Sequence, residues 1–185
     1  MPPAGGLDAR APVGCQAVDA YLAVVSKREV RSYADRGLAP EVLRRILEAG
    51  RLAGSSKNRQ ARRFVVLERV RQEAARCVFA PANVSTAALA VALVIGGRGP
   101  ADFDAGRAAQ NMILAAWNDG VGSCPNGIAD AEELSRLLGL EDSERVSSIV
   151  SFGYPAREVD PARRTAEGWV AAANRKPFEE IVSYA

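Results

Sequence analysis

The sequence predicts a protein of the α/β or α+β class, in which helices pack on a β-sheet. Three observations lead to this class. Helical patterns alternate with short, strand-like apolar runs along the chain. Hydrophobic residues make up 48% of the 185 positions and charged residues 25%, which is the balance of a soluble globular protein. The length fits one domain, or one protomer of an oligomer, and is sufficient to bury a core.

The first part of the chain differs in composition from the rest. Residues 1–18 carry Pro, Gly and Asp but lack the apolar stretch of a signal peptide. We therefore expect a flexible N-terminal arm over residues 1–18, followed by a single domain over residues 19–185. The longest apolar run, residues 87–95, is about half the length that a membrane helix needs. These features predict a cytoplasmic protein without a membrane partner.

Four segments have helical periodicity, and they are residues 17–27, 40–52, 104–118 and 130–138. The second is the clearest, because apolar side chains fall on one face and charged side chains on the other. The third is mostly small and apolar, with Gly120 beyond its end, so we expect it to be buried in the domain or in a subunit interface. In the fourth, Asp130 and Glu133 form a capping-box pattern and Gly139 provides the stop.

Strand-like runs lie between these helices, and they are residues 64–67, 89–95, 121–124 and 146–152. Because strands and helices alternate, the sheet is expected to be covered by helices. No internal repeat is found in the chain.

Two scarce residue types narrow the possible chemistry. The chain contains no His, which excludes Ser-His-Asp and Cys-His nucleophile systems, His-ligated zinc and an imidazole general base. Its three cysteines, Cys15, Cys77 and Cys124, are widely spaced without a CxxC pattern, so we expect reduced structural thiols and no metal site. An enzyme of this composition must use carboxylates, thiols, cationic side chains or a bound cofactor.

The charge of the chain is nearly balanced. Its 24 Lys and Arg residues face 22 Asp and Glu residues, and a net charge of +2 provides no general attraction to nucleic acid or membrane. The cations form no stripe with interleaved aromatic residues, so no nucleic-acid partner is expected.

Two short segments are rich in cations. Lys27, Arg28 and Arg31 place three cations within five residues, and such a cluster can bind a phosphate. The alternative is a solvated helix end, where the helix dipole favours cations. Arg175 and Lys176 form a second cationic site near the C-terminus, for which a charged turn is the alternative.

Two loops offer small residues and backbone donors. Residues 54–60, GSSKNRQ, would let backbone amides approach a ligand, although a plain helix-to-strand loop has the same composition. Residues 122–127, GSCPNG, follow a predicted strand, and loops at strand ends commonly bind ligands in α/β proteins. Cys124 in this loop is interpreted as structural, because little beside it in the sequence would activate a thiol.

In order and spacing, these segments resemble the nitroreductase family of FMN enzymes, from about residue 24 to the C-terminus. KREVRSY resembles the family's Arg-Arg-Ser-(Val/Ile)-Arg-x-(Phe/Tyr) motif, and EVLRRILEAGRLAGSSKNRQ its helix with a Ser-x-x-Asn-x-Gln loop. RAAQNMILAAWNDGVGSC resembles the family's buried helix, strand and ring-contacting loop. VSSIVSFGYPA resembles its Leu-Gly-Tyr-Pro strand, and NRKPFEEIV its terminal Arg-Lys-Pro-(Leu/Phe)-Glu-Glu-Ile motif.

The resemblance implies an α+β fold of three layers, with a central, mostly antiparallel sheet flanked by helices. It also implies an obligate homodimer with a C-terminal dimer arm and two FMN sites at the interface, each built from both protomers. By this resemblance the cofactor-binding residues are Lys27, Arg28, Glu29, Arg31, Ser55, Ser56, Asn58, Pro125, Asn126, Gly127, Arg175 and Lys176.

The resemblance also implies a role for each cation. Lys27 and Arg28 are expected to pair with the FMN phosphate, together with Arg175 and, as a helper, Lys176. Arg31 is expected to reach the pyrimidine edge of the flavin. Cations suit both places, because a phosphate needs charge-assisted donors and a reduced flavin gathers negative charge near N1 and O2.

The two loops are implied to contact the flavin from different subunits. Ser55, Ser56 and Asn58 are expected to come from the partner subunit and to line the ring and the ribityl chain. Residues 125–127 are expected to lie over the ring, with a backbone N–H directed at flavin N5. Because that contact is made by the main chain, the side chain of Asn126 is expected to matter little.

The implied chemistry is ping-pong hydride transfer. NAD(P)H gives hydride to flavin N5 and leaves, and a nitroaromatic, a quinone or a similar small acceptor then takes the electrons, without a protein nucleophile. An alternative of a different class is a flavin-binding or flavin-sequestering protein of the same fold with little turnover.

Departures from the family pattern motivate this alternative. Glu29 occupies the usual Ser position, and a carboxylate beside a phosphate is unfavourable unless it turns away or pairs with Arg. Ala61 and Arg62 replace a frequent Pro-Trp pair. Residues 79–101 leave little room for inserted helices, so a bound flavin is expected to be relatively open.

Overall fold

A four-stranded sheet lies at the centre of the computed structural model. The model describes residues 20–157 and 159–185, and the arm expected over residues 1–18 lies outside the described residues. The strands are β1 (Arg62–Val66), β2 (Leu89–Gly96), β3 (Gly122–Asn126) and β4 (Glu144–Gly153). Their order is β1-β2-β4-β3, and all three neighbouring pairs are antiparallel. An antiparallel sheet flanked by helices is α+β, the class that the pattern of elements alone left open.

Eight α-helices are found in the described residues. They are α1 (Ala20–Ser26), α2 (Pro40–Arg51), α3 (Arg71–Arg76), α4 (Pro81–Ser85), α5 (Ala101–Asn118), α6 (Ala131–Leu138), α7 (Ala166–Ala171) and α8 (Phe178–Ile181). The helices that periodicity predicts correspond to α1, α2, α5 and α6. The other four have six residues or fewer, which is too short to show a period. None of the helices in this part of the chain is both long and apolar enough to cross a bilayer.

Each face of the sheet packs against a hydrophobic core of its own. The odd-numbered residues of β2 pack with α2 and α5, whereas Ala90 and Ala92 pack with α3, α4 and α6. β2 is apolar along its whole length because both of its faces are covered, and both of its edges are paired. Each fully buried Val or Leu side chain stabilises the fold by about 1.5–3 kcal/mol. The chain therefore forms three layers, with the sheet in the middle.

The longest helix, α5, covers one face of the sheet. It begins at Ala101, three residues before the start that the sequence indicated. Its inner face is buried against α2, and Gly50 permits the close approach because a Cβ there would lie 2.8 Å from Met112 Cγ. Its outer face exposes Phe103 and Arg107. Within one chain the helix is therefore not buried all round.

The ends of α6 match the capping pattern in part. The Asp130 carboxylate accepts the Glu133 N–H at 2.9 Å, and Gly139 at φ +59° ends the helix. The reciprocal bond of a capping box is not made within the described residues. Instead, the Glu133 carboxylate pairs with Arg136 at 2.6 Å and the Asp130 N–H donates to the Cys77 carbonyl. Arg136, one turn further along the helix, thus replaces the Asp130 N–H as the partner of the Glu133 carboxylate.

Candidate functional site

Two of the segments singled out in the sequence meet at the outer edge of β3. Glu29 pairs with Ser123 in an isolated parallel bridge, and the Val30 N–H donates to the Ser123 carbonyl at 3.0 Å. Gly122 permits this approach, because a Cβ on it would lie 2.6 Å from Val30 Cβ. The cationic segment that follows α1 is thereby fixed against the strand that carries residues 125–126.

This extended segment presents alternate side chains to opposite sides. Lys27, Glu29 and Arg31 all contribute to the electrostatic environment of the Cys124 thiol on β3. Arg28 faces away and contacts α7. Alternation with a period of two residues is what an extended backbone produces. The cluster near β3 therefore consists of two cations and one carboxylate.

Lys27 and Glu29 form an ion pair in this cluster. Lys27 Nζ lies 2.5 Å from a carboxylate oxygen of Glu29, and the two side chains are 9% and 38% exposed. A largely buried ammonium is stable only with a counter-charge, and Glu29 provides it. The carboxylate at the usual Ser position thus pairs with a Lys, whereas the sequence suggested that it would turn away or pair with an Arg.

Arg28 links the end of α1 to α7. Its guanidinium donates to the carbonyls of Val25 at 2.7 Å, Lys27 at 2.9 Å and Trp169 at 3.2 Å, and it lies 5.1 Å from the centre of the Trp169 ring. These bonds satisfy carbonyls at the end of a helix, which have no partner within the helix itself. A structural role for Arg28 was not indicated by the sequence.

Two further cations surround the same ring and were missed in the sequence. Arg163 and Arg164 lie 5.1 and 5.2 Å from the centre of the Trp169 ring. Trp169 is only 3% exposed and donates its indole N–H to the Pro161 carbonyl at 2.7 Å. In the sequence, the signal for this contact was the Arg163-Arg164 pair shortly before Trp169. Such a pair is a weak indication of cation–π contacts until the fold is known.

Cys124 lies at the centre of the site but is protected. It is 2% exposed, and burial raises the pKa of its thiol, while the neighbouring Arg31 acts in the opposite direction. A raised pKa keeps the sulfur protonated at neutral pH, and the thiol is a poor nucleophile. The structure therefore favours the structural interpretation of Cys124.

Residues 125–127 divide between surface and interior. Pro125 and Gly127 are exposed, whereas the Asn126 side chain is 4% exposed. The Asn126 amide group donates to the carbonyls of Cys124 at 2.8 Å and Ile149 at 3.1 Å, and to Ser151 Oγ at 3.1 Å. The Asn126 amide therefore holds β3 to β4, a structural role that the sequence did not indicate.

Further side chains support this polar cluster. The Asn126 amide oxygen accepts from Asn83 Nδ2 at 3.0 Å. The Tyr33 hydroxyl lies 2.9 Å from Ser151 Oγ and donates to the Ser151 carbonyl at 3.3 Å. Burial raises the pKa of Tyr33 to about 12. The sequence did not indicate that Asn83 and Tyr33 support this cluster, because only the folded chain brings these residues close to Asn126 and Ser151.

An exposed aromatic ring lies next to Gly127. Phe79 is 79% exposed, and its N–H donates to the Gly127 carbonyl at 3.2 Å. A Cβ on Gly127 would lie 3.2 Å from Phe79 Cδ2. This ring supplies an apolar surface beside the loop, which the sequence did not reveal.

The other loop, residues 54–60, lies at the opposite side of the sheet and precedes β1. The Ser56 N–H donates to the Asp104 carboxylate at 2.9 Å, and Ser55 Oγ accepts the Gln60 N–H at 2.9 Å. Asn58 and Gln60 have φ of +52° and +53°, values that non-glycine residues adopt at a cost. The loop is therefore held in a defined, strained conformation, a feature that clusters at ligand sites.

A single chain does not bring all predicted site residues together. Lys27, Glu29 and Arg31 lie beside β3, whereas residues 55–58 precede β1 at the far edge of the sheet. Two strands separate these edges, and three interstrand spacings amount to about 14 Å. Arg175 and Lys176 are exposed and follow α7, which packs against α1.

Known proteins are similar to this chain in sequence. The sequence model of the Nitroreductase family matches residues 24–96 and 95–154, which include the segment paired with β3 and the loop before β1. A protein of Archaeoglobus fulgidus that bears the name NADH dehydrogenase/NAD(P)H nitroreductase is 33% identical over 149 residues. That alignment covers 74% of this chain and 86% of the relative.

Solved structures show the same fold. A nitroreductase family protein from Clostridium difficile 630 superposes with a TM-score of 0.76 at 22% identity, covering 90% of this chain and 98% of the other. A structure from Clostridium difficile R20291, described as an FMN-dependent nitroreductase, has a TM-score of 0.73 at 22% identity, with 88% and 96% covered.

We expect Tyr33 to make folding sensitive to alkaline pH. Its pKa is about 12 in the folded chain against an ordinary value of 10.0, so the unfolded chain releases the proton first. Between these values the folded state binds more protons, and the free energy of unfolding falls with rising pH by up to about 2 kcal/mol. Urea unfolding at pH 9.5 to 11.5 should show a shallower fall for Tyr33→Phe than for the wild type.

The exposed Tyr184 provides a matched control for the loss of a hydroxyl. Tyr184→Phe should follow the wild-type pH dependence. Parallel curves for wild type and Tyr33→Phe would contradict the assignment, whatever the offset caused by the lost hydrogen bonds to Ser151.

Proposed function

The chain belongs to the nitroreductase family, and on that premise we propose that it is an FMN-dependent oxidoreductase. In this proposal it uses NAD(P)H to reduce a nitroaromatic, a quinone or a similar small acceptor. The observation that carries the proposal is the pairing of residues 29–30 with Ser123, which sets Arg31 beside β3, where Pro125 and the following Gly127 are exposed. The names of the Archaeoglobus relative and of the R20291 structure support the choice of cofactor and electron donor.

The residues near β3 fit the ring end of a flavin. Arg31 is exposed next to β3 and supplies a positive charge where a reduced ring accumulates negative charge. Pro125 and Gly127 leave the main chain accessible at the end of the strand, and Ser123 Oγ is buried without a partner among the described residues. Bound FMN supplies the hydride-transferring group, so the chain itself has to bind and orient the reactants.

The phosphate end is assigned to cations of two segments. Lys27 lies beside Glu29, and much of the Arg28 guanidinium is taken by carbonyls. Arg175 and Lys176 are exposed and follow a helix that packs on α1, so they are available to add to this cluster. Charge-assisted bonds from several cations are what a phosphate dianion requires.

We further propose that the site is completed by a second copy of the chain. Ser55, Ser56 and Asn58 cannot reach the β3 edge of their own chain, because two strands lie between. The surface offers apolar groups for such an association: Phe103 on α5 is 67% exposed, and Phe178 and Ile181 on α8 are 60% and 66% exposed. Phe178 and Ile181 lie three residues apart on one short helix, and neighbouring apolar side chains of this kind suit a protein–protein contact.

The surroundings of the site favour a flat, small acceptor. Between Phe79 and α5 the chain contains only the five-residue helix α4 and strand β2, so no long inserted helix covers the site. The exposed Phe79 ring lies beside Gly127 and offers an apolar face. Aromatic rings stack favourably on such a face, as nitroaromatics and quinones would.

The visible spectrum of the purified protein tests the proposed function. The protein should be yellow, or become yellow when mixed with FMN, and should bleach without oxygen when NADH or NADPH is added. Protein that stays colourless after reconstitution would contradict flavin binding. Yellow protein that dithionite reduces but NAD(P)H does not would instead support the flavin-sequestering alternative, which the Glu29 departure favours.

Arg31→Ala should weaken FMN binding and slow flavin reduction. A hydrogen bond to a charged group contributes about 1.5–3 kcal/mol, so we expect the dissociation constant to rise roughly 10- to 100-fold. Flavin fluorescence titration and stopped-flow reduction measure the two effects. Arg76 is an exposed cation on α3, and Arg76→Ala is the matched control. Unchanged binding and reduction in Arg31→Ala would remove Arg31 from the site.

Sedimentation analysis tests the second copy. The wild type should sediment as a dimer, whereas Phe178→Asp combined with Ile181→Asp should shift it toward monomer and release flavin, because charges replace apolar contact surface. Glu179 and Glu180 lie on the same short helix, and changing both to Gln should leave the dimer intact. A wild-type monomer that retains flavin would contradict the shared site.

A further inference from the structure

The ion pair between Lys27 and Glu29 sets this chain apart from the motif that it otherwise resembles. The Lys27 side chain is 9% exposed, and its ammonium lies 2.5 Å from the Glu29 carboxylate. Where the family motif places a hydroxyl, this chain places a full negative charge. The cation expected to receive the flavin phosphate therefore already has an anionic partner.

Backbone contacts hold the main chain of Glu29 in place next to Lys27. Glu29 forms a bridge with Ser123, and the next residue, Val30, donates its N–H to the Ser123 carbonyl at 3.0 Å. Val30 is in turn packed on Gly122. This pairing fixes the main chain at Glu29, and the ion pair with Lys27 keeps the carboxylate beside the ammonium, so an incoming phosphate would meet Glu29 whenever it met Lys27.

The neighbouring cation does not compensate for this. Arg28 points to the opposite side and donates to three carbonyls, one of them on Trp169. Arg31 is the remaining cation of the segment, and it lies by Cys124, toward the expected ring end. The end of the site that would face a phosphate is therefore close to neutral within residues 27–31, whereas the end that would face the ring is positive.

We propose that Glu29 is the resident counter-ion of Lys27 and determines flavin selectivity, by lowering the affinity for a flavin that carries a 5′-phosphate. Riboflavin has the same ring and ribityl chain without the phosphate, so Glu29 does not oppose it. Arg175 and Lys176 are exposed to solvent, which screens their charges, so they offset Glu29 only in part and the chain discriminates little between FMN and riboflavin. This inference rests on the proposed function, because it concerns the same flavin site.

Equilibrium titrations of the flavin-free full-length protein with FMN and with riboflavin test the inference. For the wild type the two dissociation constants should agree within about threefold. Glu29→Gln keeps an oxygen that accepts from Lys27 but removes the charge, and it should tighten FMN about tenfold while riboflavin changes less than twofold. Glu29→Ser, which restores the motif's hydroxyl, should act in the same direction.

Two control variants define the effect. Glu132 is an exposed carboxylate on α6, and Glu132→Gln makes the same change in net charge away from β3. It should leave both dissociation constants unchanged. Lys27→Gln should weaken FMN more than riboflavin in the Glu29→Gln background, because Lys27 is then the free cation. Thermal melting checks that each variant is folded.

The outcomes separate the inference from the function on which it rests. FMN and riboflavin tightening equally in Glu29→Gln, or FMN binding unchanged in both Glu29 variants, would overturn the selectivity role while flavin binding stands. A wild type that prefers FMN by a hundredfold or more would overturn it as well. If no variant binds either flavin, the proposed function fails and the inference fails with it.

Discussion

The main-chain pairing of Glu29 and Val30 with Ser123 is the contact on which the candidate site depends. Because hydrogen bonds between backbones set its register, the alternation of side chains follows from it: Lys27, Glu29 and Arg31 face the Cys124 side, and Arg28 faces α7. A slip of one residue would exchange these two sides. Gly122 is needed for the pairing, since any side chain there would displace Val30.

A strand can serve as a platform for this pairing only if it is itself rigid. β3 has five residues, and within the described part of the chain β4 is its one strand neighbour. The buried amide of Asn126 compensates by bonding across to β4 and to Asn83, and Ser151 extends the cluster to the Tyr33 hydroxyl. Buried polar groups stabilise a structure only when their bonds are satisfied, so this cluster specifies one position for β3.

Patterns that are local in sequence were predictable, and contacts between distant segments were not. Strand-like apolar runs located all four strands, and helical periodicity located the four longer helices. Their ends are displaced by up to three residues because propensity does not define a terminus sharply. Family motifs marked the segments of the site. The roles of Asn126, Phe79 and Trp169 remained hidden, since each depends on a neighbour far away in the chain.

The internal partners of the cations explain how three cations can lie so close together in residues 27–31. Three cations within five residues repel one another unless counter-charges or dipoles are supplied. Here Glu29 neutralises Lys27, and carbonyl dipoles together with the Trp169 ring hold Arg28. Because the partners of Lys27 and Arg28 lie within the chain, these two cations are half-buried, and Arg31 is the cation of the segment that stays exposed.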